Sequence, residues 1–141
     1  MINLHADEIM RLTVKIAEPQ IVGSTGYGRL QAIPIIGGTF TGEKISGTVV
    51  PSGADWNTTR QGGIVHVFAK YLLATDDGEF IAIENEGLID PKAETVIKTK
   101  PTFNANNNGK YRDFNYGVYV GELTGTPGVK DSVDIVIYRL R

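Results

Sequence analysis

The sequence predicts an all-β protein whose strands form one antiparallel up-and-down barrel, with at most one short helix. About eight or nine stretches alternate apolar and polar residues or are rich in β-branched residues. Short turns of Gly, Asn and Pro join most of them. Glycines interrupt several strands and the chain ends in a strand, which favours closure, because a closed sheet has no exposed edge. A sandwich of two sheets is the alternative.

Composition narrows the class of protein. The 141 residues suffice for one core, so residues 1–141 are predicted to form a single barrel domain. A net charge of −2 gives no reason to expect binding to nucleic acid or to an anionic membrane. The chain has no cysteine, and its two histidines, His5 and His66, lie far apart, so we expect neither disulfides nor a metal site. No signal peptide or apolar spanning segment is recognisable, so we expect a cytoplasmic protein.

The first three strands are predicted from the alternation of apolar and polar residues and from the glycines and proline that interrupt it. Met10–Ile16 alternates strictly, which is typical of a half-buried strand. Gly23–Gly28 is predicted to be a flexible turn and Leu30–Ile36 a second strand. Pro34 favours an edge or a bulge in that strand, because proline has no N–H to donate. Thr39–Val50 is a third strand, in which glycines indicate bending.

The centre of the chain predicts a hairpin. Ile64–Thr75 is apolar on both alternating faces, which indicates a strand covered on both sides. Asp77-Gly78 is a typical hairpin turn, and Phe80–Asn85 is the partner strand.

The last third of the chain predicts one short helix and two strands. Asp90 is suited to cap a helix that starts at Pro91, but β-branched residues soon follow, so the helix must be short. Alternation then predicts strands over Phe114–Val120 and Val133–Tyr138.

The most unusual stretch is Val50–Trp56, followed by Arg60. It brings a carboxylate, the only tryptophan and a guanidinium into six positions. On a regular strand Trp56 and Arg60 share one face and Asp55 has the other. A bulge after Gly53 would instead allow Asp55 and Arg60 to reach the same cavity. Which face looks into the barrel stays open at this point.

Several segments along the whole chain form a recognisable pattern. They are Gly37–Phe40, Gly47–Trp56 with Arg60, Tyr71, Thr75–Gly78, Asn85–Gly87, Pro101–Phe103, Tyr111, Asn115, Val120–Gly121 and Val136–Tyr138. Together they resemble the DUF3237 family, also called UPF0311. The resemblance implies a lipocalin-like, calycin-type barrel and brings no established activity with it.

Six residues form the candidate site. Asp55 is the predicted general base, and Arg60 would stabilise a developing anion. The predicted ligand-binding residues are Trp56, Asn85, Tyr111 and Asn115. A purely structural alternative has Asp55 binding backbone amides of the preceding turn, Trp56 plugging the barrel bottom and Arg60 covering the indole ring.

Three functions are compatible with the predicted barrel and its candidate site. The first is a small-molecule-binding barrel that acts as a cofactor-free acid/base enzyme, namely an isomerase, cyclase, hydratase or lactone hydrolase. Its substrate would be a compact apolar compound with a carbonyl or oxyanion. The second is a carrier that binds without turnover, and the third is a structural barrel with a filled core. Edge segments around Pro34 would also allow strand pairing in a homodimer.

Overall fold

The computed structural model describes residues 1–141 and consists almost entirely of strands. One 3₁₀ turn, Arg112–Asn115, interrupts them. No helix in the structure has the length and apolar character needed to cross a membrane. The strands are β1 (Ala6–Ile16), β2 (Gln20–Thr25), β3 (Gly28–Thr41), β4 (Ser46–Thr59), β5 (Val65–Thr75), β6 (Phe80–Ile89), β7 (Ile97–Asn104), β8 (Tyr119–Gly125) and β9 (Ser132–Leu140).

The sheet closes on itself. From β3 to β9 each strand pairs antiparallel with the next in sequence. β1 closes the ring, because it pairs with β9 on one side and with β3 on the other. The eight strands β1 and β3–β9 thus make a closed antiparallel barrel, and the predicted fold class is confirmed.

β2 is an additional strand that the glycine-rich sequence concealed. The prediction of a turn over Gly23–Gly28 was wrong for its first half, because β2 runs to Thr25 and pairs with the first half of β3. β1 pairs with the second half of β3. Pro34 lies where the partner of β3 changes, and its carbonyl accepts a hydrogen bond from Ala17. The other side of β2 has no strand beside it in this chain, so the homodimer stays a prediction.

Three further predictions need correction. The predicted strand Thr39–Val50 is not continuous, because β3 ends at Thr41 and β4 begins at Ser46. Asp90 caps only a single turn, in which its side chain accepts the Lys92 N–H and its carbonyl accepts the Glu94 N–H, and no helix follows. The predicted strand over Phe114–Val120 begins only at Tyr119, because the residues before it form the 3₁₀ turn and a bend. The hairpin at Asp77-Gly78 is present as predicted, with Gly78 at φ 96°.

The apolar core fills one half of the barrel. Its sixteen buried residues come from all eight barrel strands and two connections. The most deeply buried of them include Phe40, Leu73, Ile83 and Ile137. We call the connection 105–118, between β7 and β8, the closing segment, because Tyr111 and Phe114 on it pack against the core at this end.

A carboxylate holds the closing segment in place. Asp77 accepts hydrogen bonds from the Tyr111 hydroxyl at 2.8 Å and the Lys110 ammonium at 3.0 Å. Hydrogen bonds from Thr75, Lys110 and Tyr111 lower the pKa of Asp77 from 3.8 to about 2. A lowered pKa stabilises the folded state above the unfolded value, and this stabilisation is lost as the pH falls towards the folded value.

We therefore expect the closing segment to loosen between about pH 4 and pH 2. Hydrogen exchange followed by mass spectrometry should show faster exchange of residues 105–118 in that window, after correction for the intrinsic rate. Asp77→Asn should show the faster exchange already at pH 7. Glu94→Gln, at an exposed position in another turn, is the control and should behave as the wild type. Unchanged exchange in Asp77→Asn would mean that the aromatic packing alone holds the segment.

Candidate functional site

Asp55 faces the interior of the barrel. It lies opposite Ile33 on β3 and Ala69 on β5. Two residues earlier, Gly53 lies opposite Ile35, which belongs to the core. Since alternate residues of a strand share a face, Asp55 points inward as Ile35 does.

A bulge in β4 preserves this orientation. Four steps on β4, from Val50 to Ala54, face two steps on β5, from Leu72 to Lys70. The surplus is an even number, so the alternation of faces continues unchanged beyond the bulge. Ser52 replaces the missing ladder bonds, because its hydroxyl accepts the Leu72 N–H at 2.9 Å and donates to the Val50 carbonyl at 3.0 Å.

The Asp55 carboxylate is desolvated and has no cationic partner. Its Oδ1 accepts the Phe68 N–H at 2.9 Å, in a stretch where β4 and β5 form no ladder pair. It takes part in none of the ion pairs of the chain. Burial raises the pKa of Asp55, although hydrogen bonds from Phe68 and Asn57 and the charge of His66 act in the opposite direction. A carboxyl group with a raised pKa is a stronger base when it is ionised.

Three buried polar side chains lie deeper in the barrel on adjacent strands. Tyr71 on β5, Asn85 on β6 and Thr99 on β7 are each 3% exposed. The Tyr71 hydroxyl, the Asn85 Oδ1 and the Thr99 hydroxyl have no hydrogen-bond partner. We call these three residues the polar floor. Asn85 shares a cross-strand row with Ala69 and Asp55, which puts its Cα about 10 Å from that of Asp55, two strand spacings away.

The interior changes character at the polar floor. On one side of it the inward side chains are apolar and buried, and they form the core. On the other side most inward side chains keep some exposure, although Val67 and Ile89 are buried. We call this less densely buried part of the interior the lumen. Its walls include Ile16, Ile33, Asp55, Asn57, Ala69, Ile97, Leu123 and Val133.

Trp56 and Arg60 lie outside the lumen. Trp56 follows Asp55 on the strand and is 50% exposed on the outer face. It lines a shallow groove of about 350 Å³ with Lys70 and Leu72. Arg60 lines a second outer groove, of about 620 Å³. In that groove His66 Nε2 and Glu86 Oε2 are 2.7 Å apart.

Tyr111 and Asn115 lie at the opposite end of the barrel. Asn115 clamps the closing segment, since its Oδ1 accepts the Ala105 N–H at 2.6 Å and its Nδ2 donates to the Ala105 carbonyl at 2.8 Å. Tyr111 borders a cleft of about 720 Å³ with Phe114 and Arg139. The six predicted residues therefore occupy three places, and of these only Asp55 and Asn85 share the barrel interior.

Sequence reasoning missed Tyr71 and Thr99 as candidate polar contacts. Tyr71 stands in a strand that is apolar on both faces, and Thr99 in a β-branched stretch. Both residue types are normal in strands, so neither gave a signal. Their lack of partners became visible only once the strands were in register.

Comparison with known proteins gives consistent matches. A family model described as a protein of unknown function, DUF3237, matches residues 5–140. A UPF0311 protein of Rhodopseudomonas palustris strain TIE-1 is 36% identical over 98 residues, which are 70% of this chain and 64% of that protein. The match thus spans just under two thirds of the relative's length.

Solved structures share the whole fold. A conserved protein of unknown function from Rhodopseudomonas palustris superposes with a TM-score of 0.88 at 28% identity, over 100% of both chains. A structure described as an enzyme from Penicillium herquei gives a TM-score of 0.78 at 18% identity, over 100% of this chain and 97% of that one. The latter likeness is one of fold.

Proposed function

Because the chain belongs to the DUF3237 family, whose function is unknown, we propose its role from the geometry of the lumen. The proposed function is cofactor-free acid/base catalysis on a compact, largely apolar carbonyl compound, with Asp55 as the base. The observation that carries the proposal is a carboxylate inside the barrel whose pKa is raised by burial and which has no cationic partner. Perturbed carboxyl groups of this kind are common in acid/base sites.

The simplest such reaction is proton removal next to a carbonyl group. The Asp55 carboxylate takes a proton from the α-carbon, so the C–H bond breaks and an O–H bond forms on Asp55. The electron pair of the C–H bond moves into the carbonyl group to give an enolate. Return of a proton from Asp55 to a carbon atom regenerates the base. Isomerisation and cyclisation of carbonyl compounds can begin with the same step.

The lumen walls support an apolar substrate. Ile33 lies beside Asp55 on β3 and Ala69 beside it on β5. Ile97 and Leu123 are further apolar wall residues, and both are partly exposed. An apolar wall with a few polar groups is the usual composition of a small-molecule site. Arg60 has no catalytic part in this reaction, because its side chain lines the outer groove.

The test is exchange of α-protons for deuterium. Cyclohexanone and α-tetralone would be incubated with the protein in deuterium oxide and followed by NMR. Exchange faster than in buffer, with no cofactor added, is the expected result. Ketones that bind without any enhanced exchange would refute the enzyme and favour the carrier.

A carrier without turnover is the second candidate, and one observation favours it. Asp55 Oδ1 already accepts the Phe68 N–H, so the carboxylate has a structural task where the ladder between β4 and β5 is interrupted. An aspartate whose role is to accept that hydrogen bond need not transfer protons. Replacement of Asp55 by Asn distinguishes the two functions, because only the enzyme has proton exchange to lose.

A further inference from the structure

We infer that the polar floor of Tyr71, Asn85 and Thr99 binds the uncharged oxygen of a ring compound, a ketone or a phenol, whose apolar body fills the lumen. The inference rests on the proposed function in that it names the ligand class of the same lumen. Its evidence is separate, because it depends on the three buried atoms without partners and not on Asp55.

Buried polar atoms without partners require an explanation. Nearly all such atoms in folded proteins have a hydrogen-bond partner, because leaving one unpaired costs stability. Here three occur together, on inward positions of the consecutive strands β5, β6 and β7. Two of them belong to hydroxyl groups, which can both donate and accept, and the third is an amide oxygen. The two hydroxyls can donate to a ketone or phenol oxygen that enters from the lumen, and the amide oxygen can accept from a phenol O–H.

Two inward glycines pack closely against Thr99 of the polar floor. Gly121 lies opposite Thr99 on β8, and a Cβ at this position would collide with the Thr99 hydroxyl. Gly87, also inward, is close enough that its Cβ would contact the Thr99 methyl at 3.3 Å. Because both positions are glycine, neither adds a side chain next to the Thr99 hydroxyl.

The charges around the polar floor favour an uncharged ligand. The nearest lysines in sequence, Lys70, Lys98 and Lys100, lie at exposed outward positions, and Lys70 pairs with Glu84 at 3.2 Å. A carboxylate bound at the floor would therefore be buried without a cation, which is costly. Burial also raises the pKa of Tyr71, so its hydroxyl stays protonated and can donate. A carbonyl or phenol oxygen fits these neutral groups.

Tyr71→Phe and Thr99→Val test the inference, because each removes one hydroxyl and keeps the shape. Thr102→Val, at an exposed position of β7, is the matched control. Thermal unfolding is measured without ligand. Binding of β-naphthol and of β-naphthoate is measured by calorimetry at pH 7, where the first is neutral and the second is an anion.

We expect the unliganded Tyr71→Phe and Thr99→Val proteins to unfold at the wild-type temperature or up to about 3 °C higher. Each should bind β-naphthol about fivefold more weakly than the wild type. The wild type should prefer β-naphthol to β-naphthoate by at least about tenfold. The control should match the wild type in β-naphthol affinity.

Three results would overturn the inference. A lower unfolding temperature with unchanged β-naphthol affinity would mean that ordered water satisfies the floor. Equal affinity for β-naphthol and β-naphthoate would mean that the floor does not select neutral oxygens. Failure of the wild type to bind β-naphthol would refute the ligand class. None of these measurements involves turnover, so a ketone that binds but does not exchange would refute the proposed reaction alone.

Discussion

Asp55→Asn should reduce α-proton exchange of bound ketones by about two to four orders of magnitude, the usual contribution of a positioned general base. An asparagine amide has no basic oxygen and cannot take the proton. The fold should persist, because an asparagine Oδ1 can still accept the Phe68 N–H that Asp55 accepts at 2.9 Å. Exchange rates from NMR, with the unfolding temperature measured in parallel, separate the chemical effect from a structural one.

Glu84→Gln is the matched control for this experiment. Glu84 lies on the outer face of β6, next to Asn85 in sequence, and pairs with Lys70. The Glu84→Gln variant loses a carboxylate, as Asp55→Asn does, but this carboxylate lies outside the lumen. The rate of ketone α-proton exchange should therefore stay at the wild-type value. Undiminished exchange in Asp55→Asn would show that another group removes the proton. A lower affinity for ketones with an unchanged exchange rate of the bound ketone would assign Asp55 to binding.

Gly53→Ala should have the largest effect on stability, a loss of about 3 kcal/mol or more in the free energy of unfolding. A Cβ at this position would collide with the carbonyl oxygen of Lys70 and crowd the backbone of Tyr71. Both are backbone atoms of β5 and cannot rotate away. Urea denaturation monitored by circular dichroism measures the loss. Since Gly53 lies in the bulge directly before Asp55, a shift of the bulge would displace Asp55, and the variant should also lose ketone exchange.

Gly125→Ala provides the comparison. Gly125 also lies in a strand, but a Cβ there would meet no atom within 4 Å. This substitution should change the free energy of unfolding by less than about 1 kcal/mol. Wild-type stability of Gly53→Ala would mean that the bulge relaxes freely and does not fix the position of Asp55.

The fold class was predictable because its signals are local. Alternation in Met10–Ile16 and the Asp77-Gly78 turn are properties of neighbouring residues, and both appear in the structure as strand and hairpin. β2 was missed because Gly23 and Gly26 are typical of turns, and only pairing with β3 made Gln20–Thr25 a strand. The predicted strand began too early, before Tyr119, because Phe114 and Tyr116 continue the alternation of the strand by chance.

The candidate site was only partly predictable, because proximity in a barrel depends on register. Asp55 and Trp56 are neighbours in sequence but lie on opposite sides of the wall. Tyr111 and Asp55 looked like members of one cavity, yet the up-and-down path puts them at opposite ends.

By itself, the sequence determined that this chain forms a barrel, because alternation, turns and glycine-broken strands are encoded residue by residue. It also singled out Asp55. The tertiary structure decided that Asp55 looks inward, since this depends on how many extra residues the bulge of β4 accommodates against β5. It also decided that Tyr71, Asn85 and Thr99 meet as unpartnered groups, because hydrogen-bond satisfaction depends on neighbours that only the closed sheet supplies.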